Sequence, residues 1–179
     1  MSLWIARTAL VWALLGGALL GAIVLVTTAN IAAFAADRAA GLWGGAVPAL
    51  PGYEDFVRLA VSAAALMLLP WCQLQRGHVS VELFAARLPR GLARGLDRLW
   101  LALTAAVALF LMVWMADGMA ETRADGIRTP ILGWPEWPFY LPGLASLALW
   151  ALIAAWQAVW APEGGGAPGS GGPAGGGDD

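Results

Sequence analysis

The sequence predicts an all-α integral membrane protein with four transmembrane helices, N-in and C-in, and an amphipathic interfacial helix between helices 2 and 3. Three observations carry that prediction. First, the 179 residues are 60% hydrophobic and only 12% charged, with a mean hydropathy of +0.69, whereas soluble domains run about 45–50% apolar and about 25% charged. Second, every Asp, Glu and Arg falls outside four windows, residues 8–36, 59–75, 99–116 and 137–162. Each window is long enough, or nearly so, to cross a bilayer as a helix. A charge at the centre of a spanning helix costs about 2.5–3.5 kcal/mol, so four charge-free gaps are a selected pattern. Third, the arginines gather in one connecting segment, which fixes the orientation.

The same numbers exclude other classes. The net charge is -2 and no basic stripe suited to nucleic acid is present. The single Cys72 rules out a disulfide framework within the chain and a CxxC redox pair.

Helix 1 is expected over about residues 8–36, behind Arg7. Ala33-Phe34-Ala35 imitates a signal-cleavage site, but the apolar run before it is about twice the usual 7–15 residue signal core, so it reads as an uncleaved anchor. Ala9, Ala13, Gly17 and Gly21 recur every four residues and form a small-residue stripe with a GxxxG, which lets another helix approach closely. Gly17 and Gly21 are the packing glycines on this reading. The loop that follows is rich in Gly and Pro, and Trp43, Val47 and Leu50 suit the membrane surface.

Helix 2 is expected over about 54–75. Glu54 and Asp55 sit in its first turn, where the helix dipole favours negative charge. Arg58 lies four residues from Glu54 and three from Asp55, the spacing of a helical ion pair. The segment after it, residues 76–99, places Val79, Leu83 and Ala86 at helical spacing up to Pro89. Beyond that proline, Leu92, Leu96 and Leu99 form one stripe and Arg90, Arg94 and Arg98 another. Both halves read as amphipathic helix, with Arg90, Arg94 and Arg98 facing lipid headgroups. Each arginine contributes on the order of 1 kcal/mol near an anionic surface.

Helices 3 and 4 are expected over about 92–116 and 138–160. Small residues pair again in helix 4, Ala151 with Ala155 and Ala154 with Ala158. Ser62, Thr104 and Ser146 can bond to their own helix backbone. No acid, base or ion ligand stands within a window, which argues against a pore or a proton relay. The tail 161–179 is mostly Gly, Pro, Ala and Ser, a disordered cytoplasmic extension by composition.

The chain has no lysine. Between helices 2 and 3 stand Arg76, Arg87, Arg90, Arg94 and Arg98 against Glu82 and Asp97, and the positive-inside rule puts that segment in the cytoplasm. The other two connections are balanced or acidic and therefore external. Trp71, Trp100, Trp134, Trp137, Trp156 and Trp160 fall near window edges, as amphipathic rings at headgroup level do; Trp12 and Trp114 do not, and read as packing residues.

Three motifs together resemble a known family. They are "YEDFVR" opening helix 2, "GHVSVELFAARLP" directly after it and "TPILGWPEWPFYLPG" leading into helix 4. In order and spacing they look like the DctQ-type small permease subunit of TRAP (tripartite ATP-independent periplasmic) transporters, over roughly residues 10–160. The loop before Tyr53 is richer in Gly and Pro than the family pattern, and the tail is an addition to it.

The resemblance implies a bacterial inner-membrane subunit that holds no substrate, metal or cofactor and catalyses nothing. Its partners would be a large DctM-like permease subunit, a periplasmic substrate-binding protein and membrane lipid. It would scaffold the large subunit during cation-gradient-driven uptake of an organic acid. The family-motif residues, all structural, are Glu54, Arg58, His78, Glu82, Pro130, Trp137 and Pro142, with Pro138 and Pro142 shaping the start of helix 4. The alternative is an anchor subunit of another membrane complex, such as a redox enzyme. One histidine, His78, cannot supply bis-His haem ligation, and no Ser-His pair or paired intramembrane carboxylates support an enzyme.

Overall fold

The computed structural model describes residues 3–75 and 90–160. His78, Glu82 and the interfacial helix expected over 76–89 lie outside the described residues, as do the side chains of Arg90 and Arg94 and the tail from 161. Four helices are long and apolar enough to span a membrane: α1, Leu3–Gly41; α2, Tyr53–Leu74; α3, Arg90–Ala124; and α4, Tyr140–Trp160. A 3-10 turn, Trp137–Phe139, leads into α4. Among the described residues there are no strands, only one bridge between Arg128 and Pro135.

Three helices are longer than their charge-free windows, α2 by its first turns with Glu54, Asp55 and Arg58, as the sequence expects, and α1 and α3 beyond the expected bounds. α3 runs on past Trp114 through Asp117, Glu121 and Arg123, and α1 passes Asp37 and Arg38 before stopping at Gly41. A helix satisfies its own backbone in water as well as in lipid, so a charge marks the end of an apolar band without ending the helix. α2 starts where Pro51 and Gly52, at φ +80°, turn the chain. Its Pro70 is buried within the helix and removes one i to i−4 bond.

The helices lie in a single open row, in the order α1, α2, α4, α3. α1 packs along α2, α2 along α4 and α4 along α3, while α1 and α3 share no extensive contact. α1 reaches α4 only near its start, where Trp12 Nε1 donates to Ser146 Oγ at 2.7 Å. Ser146 in turn donates to the Pro142 carbonyl at 2.7 Å, the bond back to its own helix that its residue type offers. Burial follows the row: 33% of the apolar window is buried in α2 and in α4, against 11% in α1 and in α3.

The seams are made by small residues at one level, the waist. A Cβ on Gly16 of α1 would stand 2.9 Å from Met67 Cβ and 3.2 Å from the Ala64 carbonyl oxygen of α2. A Cβ on Gly143 of α4 would meet Leu66 Cδ1 of α2 at 2.9 Å and Met115 Sδ of α3 at 3.0 Å. Ala60, Ala63 and Ala64 of α2, Ala105 and Ala108 of α3, and Ala151 and Ala154 of α4 are buried along the same seams.

The packing glycine of α1 is therefore Gly16. Gly17 and Gly21, the sequence expectation, have nothing within 4 Å of an added Cβ and are exposed. The reason is helical drift. Each step of four residues rotates about 40° around the axis, so Gly21 stands about 120° from Ala9 while Gly16 stands about 20° from it. Ala155 of α4 is likewise exposed, beside the buried Ala151 and Ala154.

Candidate functional site: a clasp at the loop end and a glutamine lock at the other

Two connections, 42–52 and 125–136, meet at one end of the row, here the loop end. The second is a tight hairpin-like loop. Thr129 N donates to the Trp134 carbonyl at 2.9 Å, Trp134 N to Thr129 Oγ1 at 3.0 Å, and Glu136 N to the Ile127 carbonyl at 3.2 Å. Gly126 and Gly133 supply the positive φ that its two bends need.

Asp55, in the first turn of α2, receives this loop. Its Oδ2 accepts the backbone N–H of Ile131 and of Leu132, each at 2.9 Å. The side chain is only 4% exposed, and Thr129 beside it is 3% exposed. A carboxylate taking two amides makes charge-assisted bonds, which are roughly twice as strong as neutral ones. Leu132 then lies over Gly52, where a Cβ would stand 2.6 Å from Leu132 Cδ2.

Arg58, one turn further along α2, pairs with Glu136 across the loop. The sequence had offered Glu54 or Asp55 as its partner at helical spacing. Glu54 and Arg58 are both exposed, and pairing with Glu136 links α2 to the start of α4, a tertiary contact that spacing along one helix does not reveal. Pro130 is exposed in the loop. Trp137 lies 5.0 Å under the Arg123 guanidinium, tying the end of α3 to the turn before α4, and Trp134 stacks on Phe139 with ring centroids 6.4 Å apart. Pro142 stands at the third position of α4, where its missing N–H costs no helical bond.

The first connection is pinned to α1. Leu50 N donates to Asn30 Oδ1 at 3.0 Å and Val47 N to Asp37 Oδ1 at 2.9 Å. Asn30 is 1% exposed, a polar side chain inside a window whose partner is a backbone amide twenty residues on.

At the opposite end, the terminal end, Gln73 and Gln157 lock α2 to α4. Gln73 Nε2 donates to Gln157 Oε1 at 2.9 Å, Gln157 Nε2 to the Gln73 carbonyl at 3.3 Å, and Trp150 Nε1 to Gln73 Oε1 at 3.2 Å. Both glutamines are buried. Replacing either one with leucine should orphan its partner and cost about 1–2 kcal/mol. The double Leu replacement should recover most of that loss, measured by thermal unfolding in detergent.

Among the described residues no group of His, Cys, Asp and Glu is placed to hold a metal ion. What the geometry provides is fixation: three seams, a clasp and a lock. The family model of the DctQ component of the tripartite ATP-independent periplasmic transporters matches residues 44–162. The chain belongs to this family. No curated protein and no solved structure matches it. The DctQ match takes in α2, α3, α4, the clasp and the glutamine lock, and begins after α1. The family is one of transporter components and not of enzymes, and its members work with a large permease and a periplasmic binding protein. The chain is accordingly a multi-pass membrane protein.

Of the residues the sequence brought forward, Arg58 pairs with Glu136 in the clasp, Pro130 and Trp137 lie in the segment that leads into α4, and Glu54 and Pro142 stand in the first turns of α2 and α4. The sequence reading missed the residues that close the clasp, namely Asp55 as acceptor of the loop amides and Glu136 as partner of Arg58. It also missed Asn30, Gln73 and Gln157. Their signal was available: an amide side chain within an apolar window has no cheap exposed place and must find a partner.

Proposed function

We propose that this chain is the small membrane subunit of a TRAP-type secondary transporter, enlarging and bracing the fixed frame of the large permease subunit. The transporter takes up an organic acid, delivered by a periplasmic binding protein, at the expense of a cation gradient across the bacterial inner membrane. The observation that carries the proposal is the open row. A chain whose outer helices bury a ninth of their apolar windows offers broad apolar flanks to another membrane protein, and its polar side chains are spent on holding its own helices. The loop end faces the periplasm and both termini face the cytoplasm, following the arginine count. Arg90, Arg94 and Arg98 lie at the cytoplasmic surface among anionic headgroups.

Affinity purification of the tagged chain from its native membrane should retain a much larger permease, and the chain alone in vesicles should transport nothing. Uptake by the isolated chain, or the absence of any large membrane partner, would sink the proposal. Single-cysteine labelling with an impermeant reagent should reach residues 118–136 from outside and residues 77–95 only after lysis. The reverse pattern inverts the orientation.

A further inference from the structure

The apolar bands of the four helices are out of step with one another, and the offset is ordered along the row. Gly16, Leu66, Gly143 and Met115 meet at the waist and give a common level from which to count. Toward the loop end, the first charge on α1 is Asp37, about 31 Å along the axis from Gly16 at 1.5 Å per residue. On α2 it is Arg58, about 12 Å from Leu66, and ahead of α4 it is Glu136, at about 11 Å. On α3 it is Asp117, only about 3 Å from Met115. Toward the terminal end the order reverses: α1 reaches Arg7 after about 14 Å and α3 reaches Arg98 only after about 26 Å.

The aromatic residues, counted independently of charge, step in the same direction. Trp43 lies beyond the end of α1, Tyr53 about 20 Å from the waist on α2, Trp137 about 10 Å from the waist in the turn before α4, and Trp114 on α3 at the waist itself, within about 2 Å. Trp114 is 64% exposed and fits no belt when the helices stand upright. The descent of the band from α1 to α3 moves it from the centre toward the interface.

We infer that the row lies inclined in the bilayer within its own plane, so that residues 31–36 of α1 and residues 118–124 of α3, about 20 Å apart along the helix axes, come to one depth near the edge of the hydrocarbon. The mean offset of about 20 Å, across three interaxial steps of about 8–10 Å, gives an inclination of about 35°, in the upper part of the range for spanning helices. That inclination shortens the charge-free stretch of α1, about 45 Å along its axis, to about 37 Å across the membrane, nearer the roughly 30 Å of hydrocarbon. It also accounts for the exposure of Ile31 and Phe34 on a part of α1 that extends past the start of α2. The inference needs only that the chain spans a membrane, and stands or falls apart from its role in transport.

The test uses the full chain with Cys72→Ala, reconstituted in phosphatidylethanolamine and phosphatidylglycerol vesicles. Spin labels are placed at three exposed positions, Val24→Cys, Phe34→Cys and Ala120→Cys, with a water-soluble nickel chelate on both sides. The Phe34 and Ala120 labels should match each other in their collisions with oxygen and with nickel, while the Val24 label, near the centre of the bilayer, is shielded from nickel. An upright row centred on the waist separates the pair, with Phe34 about 27 Å out in water and Ala120 about 8 Å from the waist in lipid. A Phe34 label exposed to nickel beside an Ala120 label shielded from it overturns the inference. For any labelled variant that misfolds, reaction of the unmodified cysteine with an impermeant maleimide gives the same comparison: Phe34→Cys and Ala120→Cys reacting at similar rates, or the inference fails.

Discussion

Replacing Asp55 with alanine should release the loop 125–136 from α2 while leaving the helices themselves in place. The carboxylate is the shared acceptor for the Ile131 and Leu132 amides, and among the described residues no other side chain accepts from these two N–H groups. Once freed, the loop retains its own internal bonds, so it should detach as a unit. Hydrogen exchange at Ile131 and Leu132 should rise on the order of tenfold or more, because charge-assisted bonds to a buried acceptor are lost. Amides in the middle of α2 and α4 should be unaffected. Asp55→Asn keeps one acceptor oxygen and should fall between the wild type and alanine. Unchanged protection in Asp55→Ala would show that the clasp is held by Leu132 on Gly52 and by Arg58 with Glu136 instead.

A paired substitution at the waist should give the largest difference between neighbouring residues. Gly16→Leu drives a side chain into Met67 Cβ and the Ala64 backbone oxygen. Neither is the free end of a flexible chain, so α1 must lift off α2. Overpacking of this kind costs about 1–3 kcal/mol, and the lost seam adds to it, lowering the unfolding temperature in detergent by several degrees. Gly17→Leu, one residue on, meets open space and should leave the isolated chain as stable as before, or slightly more stable because glycine is a poor helix former. If a partner subunit covers that side of α1, Gly17→Leu should instead reduce recovery of the complex without affecting the chain alone. Equal destabilisation of the isolated chain by both substitutions would contradict the seam described here.

The number of helices and their approximate places were legible because lipid imposes a severe constraint: a charge in a spanning segment is costly, and the chain spends its charges elsewhere. Family membership was legible in three short motifs, two of which, "YEDFVR" and "TPILGWPEWPFYLPG", turn out to be opposite halves of the clasp. Three features were not legible. Window edges do not give helix ends, as Asp117 and Asp37 show, since a helix continues into water at little cost. The choice between Gly16 and Gly17 depends on rotation accumulated over three turns, which a four-residue repeat conceals. The partner of Arg58 lies across a tertiary contact, and two nearby carboxylates on its own helix offered a simpler answer that the fold does not use.

The row arrangement also dictates an order of assembly. In a closed bundle every helix has two neighbours, and any of them can recruit the next. Here α1 and α2 form one antiparallel hairpin and α3 and α4 another, and a single long-range seam between α2 and α4 joins the two. The first hairpin can pair as soon as both of its helices have left the ribosome. α3 has no extensive seam with anything that precedes it, so it waits unaccompanied in the lipid until α4 arrives, and the glutamine lock can close only after the last helix is in place. The contacts themselves thus fall into two hairpins, each complete within its own pair of helices, and one docking seam that needs both.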